Sequence, residues 1–225
     1  MQMASRGNRT RERRPAVRLY LVTPQVIEPA DVATALSQGL AAADVAAVLL
    51  RLAAADVSTL VSRVRGLAPL VQERGAALVL DALPDIAARC GADGAHLTGI
   101  EQFRAAFAAL KPDRIAGCGG LKTRHDAMLA GEAGADYVMF GEPDTEQRRL
   151  SFAAILDRMV WWAELFEVPC VGYAANAEEV APLAAAGADF VALGEWVFAQ
   201  SAGRSGLAAT IAAAARCLAE AEVAA

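Results

Sequence analysis

The residues in this chain that do chemistry mostly sit where an apolar run gives way to a loop. Arg51 closes the run Val45–Arg51. Its planar guanidinium suits a phosphate or carboxylate of a ligand, and the alternative is an ion pair with Asp81. Asp81 ends the apolar run Ala76–Asp81. A carboxylate there suits Mg²⁺, a hard cation that prefers oxygen, with Glu101 at the entry to a later helix as second ligand. The alternative is that Asp81 caps the next turn or pairs with Arg51. His96, in Gly94–Leu97, is a candidate general base or hydrogen-bond donor, or else a satisfied interior histidine. Gly117-Cys118-Gly119-Gly120 runs through Leu121 and Lys122 into a helix at Thr123. Its N–H groups, those of Gly119 and Gly120 first, suit a phosphate with Lys122 adding charge; the alternative is a plain tight turn. Gly172, Tyr173 and Gly194, at the ends of the last two apolar runs, complete the phosphate-binding candidates. Arg51, His96 and Lys122 are the catalytic candidates. Glu142, Asp144 and Glu195 form an acidic rim that opposes an anion unless a metal offsets it.

A repeat positions these residues. Gly134-Ala135-Asp136-Tyr137-Val138-Met139-Phe140-Gly141-Glu142 returns as Gly187-Ala188-Asp189-Phe190-Val191-Ala192-Leu193-Gly194-Glu195. Looser copies start at Gly91 and, without the glycine, at Ala42. Glycine ends a helix, Ala-Asp turns the chain, and the apolar run that follows reads as a buried strand. Eight strands are expected: Val17–Thr23, Val45–Arg51, Ala76–Asp81, Gly94–Leu97, Arg114–Cys118, Tyr137–Gly141, Val168–Gly172 and Phe190–Gly194. Helical patterns alternate with them: Pro29–Leu40, Asp56–Arg74, Pro84–Cys90, Ile100–Leu110, Thr123–Ala133, Ser151–Phe166, Ala177–Ala186 and Leu207–Ala221. Strict alternation with short links means a parallel sheet, and runs without polar alternation mean strands covered on both faces. Eight such units in 225 residues predict a single (β/α)₈ TIM barrel over 17–225. In that architecture the chemistry lies at the C-terminal ends of the strands, where the candidates above fall.

Composition narrows the class. The net charge of −5 argues against general nucleic-acid binding. No apolar run approaches the roughly 20 residues of a membrane span. Four cysteines without ligand-like spacing predict inert thiols and a cytoplasmic setting. Residues 1–16 carry five arginines and no apolar segment, which reads as a disordered basic tail. Trp161-Trp162 in a helix reads as outer packing or a contact in a homo-oligomer.

Several stretches resemble thiamine phosphate synthases. Leu19-Tyr20-Leu21-Val22-Thr23 is similar to that family's first strand. Gly91-Ala92-Asp93-Gly94-Ala95-His96-Leu97 resembles its "GADGVHL" strand, and Gly134 to Gly141 its "GADYVGFG" strand. The resemblance runs in order over most of 17–200, with Gly187 to Ala192 at the last strand. It implies that an aminopyrimidine diphosphate is joined to a thiazole phosphate, giving thiamine phosphate and pyrophosphate. It further implies Mg²⁺, small phosphorylated substrates and a dissociative departure of diphosphate. By position, Arg51 matches the arginine of the family's "QLREK" strand, Asp81 its magnesium aspartate, and Glu101 falls near the second magnesium carboxylate. The chain departs from the pattern elsewhere. The Gln and Lys beside Arg51 are missing, and Leu80 replaces an Asn. Glu142 to Arg149 replaces a Thr-rich, Lys-containing loop, Gly172 to Asn176 a Gly-Gly turn, and Glu195 a small polar residue. Lys122 stands where tautomerase-like relatives have His. The alternative expectations are a non-catalytic or repurposed barrel binding a phosphorylated ligand, or a thiazole tautomerase-like enzyme.

Overall fold

Short apolar runs separated by helices leave the backbone one economical arrangement, a parallel sheet closed on itself. The computed structural model, which describes residues 15–199 and 206–224, has that form. Its strands are β1 Arg18–Val22, β2 Val45–Leu50, β3 Ala77–Asp81, β4 Gly94–Thr98, β5 Ile115–Gly119, β6 Tyr137–Phe140, β7 Cys170–Ala174 and β8 Phe190–Leu193. Each pairs in parallel with the next, and β8 closes on β1 through Leu19 opposite Val191. The helices are α1 Pro29–Ala42, α2 Val57–Gln72, α3 Pro84–Cys90, α4 Ile100–Leu110, α5 Arg124–Glu132, α6 Phe152–Leu165, α7 Val180–Ala185, α8 Trp196–Ala199 and α9 Gly206–Ala224. The expected barrel is therefore present, with the short α8 as an element beyond the eight expected helices. The expected basic tail lies, over residues 1–14, outside the described residues.

The strands have no polar face because both faces are buried. Leu19 and Leu21 of β1 point to the helix layer, while Tyr20 and Val22 join Leu49, Val79, Met139 and Val171 inside the barrel. Trp162 of α6 is fully buried in the outer layer; its Nε1–H donates to the Val168 carbonyl at 2.7 Å and its ring stacks on Phe166. That bond leaves Val168 outside the sheet. Strand β7 accordingly starts two residues later than expected and runs on to Ala174, taking Tyr173 into the barrel.

The repeat has a structural explanation at the N-terminal end of the barrel. Gly91, Gly134 and Gly187 hold φ of 79°, 92° and 93°, the left-handed region glycine enters without strain. The aspartate two residues on then clamps the start of the preceding strand. Asp93 accepts from Leu78 N at 2.7 Å, Asp136 from Ala116 N at 2.7 Å, and Asp189 from Cys170 N at 2.8 Å. Each aspartate N–H donates back to the carbonyl of the same strand residue. In the weakest copy Asp44 pairs instead with Arg18, at 2.8 Å. Helix starts follow their signals too: Thr123 and Asp126 form a reciprocal capping box on α5, and Pro29 and Pro84 open α1 and α3.

Candidate active site

The C-terminal strand ends hold two connected polar clusters. In the first, Arg51 follows β2 and is fixed at its backbone, whose N–H donates to Oγ1 of the fully buried Thr23 at 3.0 Å. Its Nε donates to Asp81 Oδ2 at 3.3 Å, and its Nη1 pairs with Glu195 just past β8. The ion pair with Asp81, the alternative reading of Arg51, is thus formed. Ala82, directly after Asp81, has φ of 52° and donates its N–H to the His96 carbonyl at 2.9 Å. A non-glycine residue in that region costs about 1–2 kcal/mol, and such strain gathers at functional sites.

The second cluster is a buried chain rising from the barrel interior. The Tyr20 and Tyr137 hydroxyls lie 3.0 Å apart, and the Tyr137 hydroxyl lies 2.9 Å from His96 Nδ1. His96 Nε2 lies 3.1 Å from Glu142 Oε2. A carboxylate only accepts, so Nε2 carries a proton; a neutral ring then accepts at Nδ1 from Tyr137, which accepts from Tyr20. The other Glu142 oxygen accepts from the Gly120 N–H. Burial by itself would lower the His96 pKa. The charge and hydrogen bond of Glu142, with Asp81 behind it, outweigh burial and the opposing charge of Arg51, and the net shift is upward. Burial pushes both tyrosine pKa values up, so they stay protonated. Gly119 is required here, because a Cβ would fall 2.5 Å from His96 Nε2 and into the Glu142 carboxylate.

Arg51, Asp81, His96, Glu101, Gly120 and Lys122 line one cavity of about 970 Å³, floored by Leu49 and Met139. Glu142 and Arg158 also line it. Arg158, on α6, donates to the Leu121 carbonyl at 2.8 Å and to that of Lys122, bracing the glycine turn from outside. Arg149 links three elements: it donates to the Gly141 carbonyl at 2.8 Å, the Tyr173 carbonyl at 3.1 Å, and both oxygens of buried Glu179 at 2.9 Å. The remaining phosphate candidates lie off this cavity. A Cβ on Gly172 would meet Leu183 of α7 at 2.8 Å, so its bare face serves helix packing. Tyr173 points into the barrel, with its hydroxyl against Gly194, and burial raises its pKa. Tyr20 and Tyr137 were legible only as inward strand positions, and nothing in the sequence marked Arg149 or Glu179.

The donor set suits one metal. Asp81 and Glu101 share the cavity wall, and no cluster of three or more potential metal ligands occurs among the described residues. Mg²⁺ typically takes one or two carboxylates and fills its other positions with water and substrate phosphate, so two carboxylates lining one cavity are a fitting set.

Comparison with known proteins places this architecture. The profile of a family described as thiamine monophosphate synthase matches residues 19–197. A thiamine-phosphate synthase of Rhodospirillum centenum is 43% identical over 185 residues, 80% of this chain and 89% of that protein. One from Hyphomonas neptunium is 35% identical over 84% of this chain and 89% of its own length. Among solved structures, thiamine phosphate pyrophosphorylase from Pyrococcus furiosus superposes with a TM-score of 0.74, at 21% identity over 91% of this chain and 96% of that one. That last likeness is one of fold.

Proposed function

Since the chain belongs to the thiamine monophosphate synthase family, we propose that it is a transferase joining an aminopyrimidine diphosphate to a thiazole phosphate. The products are thiamine phosphate and pyrophosphate. The bond from the pyrimidine methylene carbon to oxygen breaks, its electron pair leaves on the diphosphate, and the thiazole nitrogen lone pair forms the new C–N bond. The observation that carries the reading is the single cavity that gathers Arg51, Asp81, Glu101 and Lys122 at the strand ends. Arg51 binds diphosphate oxygens through its fork of donors, and Lys122 adds a point charge opposite. Asp81 and Glu101 would hold Mg²⁺, which would neutralise charge gathering on the leaving group. Leu49 and Met139 present an apolar floor to the pyrimidine. Among the described residues no helix is long and apolar enough to cross a membrane. The reading is of a cytoplasmic enzyme acting on small phosphorylated metabolites.

The test is direct. Purified protein with both substrates and Mg²⁺ should form thiamine phosphate. Asp81→Ala should abolish Mg²⁺-dependent diphosphate binding while the urea unfolding transition persists. A wild-type protein that binds neither substrate, or an Asp81→Ala variant that binds diphosphate and Mg²⁺ as before, would sink the reading.

A further inference from the structure

Glu195 takes no part in the chemistry just described, yet it occupies the cation that the chemistry needs. Its carboxylate pairs with Arg51 Nη1 while Asp81 holds Nε, so the guanidinium is engaged on two edges. Glu195 is placed there by its backbone: its carbonyl accepts from Phe198 N at 2.9 Å and Ala199 N at 3.2 Å in the first turn of α8. The carboxylate is half-exposed and can swing aside, whereas the Arg51 side chain is only 25% exposed and leaves a backbone whose N–H is held by Thr23.

Formal charges show the consequence. Arg51 contributes +1 and Asp81 and Glu195 −1 each, so the cluster carries −1 and repels an incoming polyphosphate. A divalent cation at Asp81 turns that to +1. With a neutral residue at 195 the cluster would stand at 0 before the metal arrives. We infer that Glu195 makes capture of a diphosphate at Arg51 conditional on a divalent cation at Asp81, so that metal-free anions are turned away. The inference rests on the reading of Arg51 and Asp81 as the diphosphate side of the site.

The probe is inorganic pyrophosphate, titrated calorimetrically into the full chain with and without Mg²⁺, for wild type and Glu195→Gln. The variant should bind metal-free pyrophosphate about tenfold more tightly than wild type, equivalent to about 1.4 kcal/mol. With saturating Mg²⁺ the two proteins should agree within about threefold, because wild type then also presents a positive cluster. Equal metal-free affinities in a pair that both bind with Mg²⁺ would overturn the role of Glu195 and leave the diphosphate site standing. No pyrophosphate binding by wild type with Mg²⁺ would overturn the site and the inference together.

Discussion

Replacing Glu142 by Gln tests the buried chain. Gln keeps the shape and an acceptor for the Gly120 N–H, but removes the charge facing His96 Nε2 at 3.1 Å. Hydrogen bonds to charged groups contribute about 1.5–3 kcal/mol, and His96 is 98% removed from solvent, so little of that is screened. His96 has a folded pKa above its ordinary value of about 6.5. Its protonation therefore stabilises the wild type fully below about pH 6.5, and that contribution is lost as pH rises through the folded value. In the variant burial, the largest single influence on the ring, is no longer outweighed, and the folded pKa drops. Acid then destabilises the variant where it favours the wild type. The expected loss is about 2 kcal/mol at pH 5.5 and under about 1 kcal/mol at pH 9. Urea unfolding at the two pH values measures the difference. Imidazole NMR follows the titration directly, and with His125 the only other histidine the signals are readily assigned. An equal loss at both pH values, or a wild-type His96 titrating below the ordinary range, would refute the reasoning.

Two further substitutions probe the scaffold. Arg149→Ala leaves the Glu179 carboxylate buried without its guanidinium, and breaking such a pair costs about 3–5 kcal/mol, read as a lower urea midpoint at unchanged slope. Asp189→Ala removes the acceptor of the buried Cys170 N–H and should cost about 1–3 kcal/mol, with amide exchange at Cys170 accelerating first.

The barrel was legible because every second βα unit repeats the same local instructions and the units between carry their own apolar runs. The left-handed glycine, the turn and the apolar run are nearest-neighbour features, and three of the four copies kept all of them. The boundary of β7 was not legible. It depends on Trp162 reaching the Val168 carbonyl, a bond to a residue on another element that composition does not reveal. The site divides the same way. Arg51, Asp81 and Lys122 could be picked out because they end or follow apolar runs on a fold whose chemistry has a known end. The partners that set their behaviour lie far away in sequence: Tyr20 and Tyr137 are 117 positions apart, and Arg51 and Glu195 are 144. Inward strand positions occupied by tyrosine were the one available sign of the first pair. A lone glutamate after β8 gave no sign of the second.

The same contacts change what the acidic rim means. Read as a row of charges, Glu142, Asp144 and Glu195 argue against an anionic ligand. In the fold each is already answered. Glu142 accepts from Gly120 N and pairs with His96, and Asp144 accepts from Glu146 N and Arg148 N and from the Arg148 side chain. Glu195 holds Arg51. Meanwhile Lys122 and Arg158 have no carboxylate partner among the described residues, and both line the cavity. The field inside the cavity therefore depends on which charges remain unpaired among the described residues: Glu101 among the acids, and among the cations Lys122, which follows β5, and Arg158 on α6. A diphosphate bridging from Arg51 toward Lys122 meets attraction at its far end, and at the near end a divalent cation at Asp81 offsets Glu195, which makes Glu195 a condition on binding and not a bar to it.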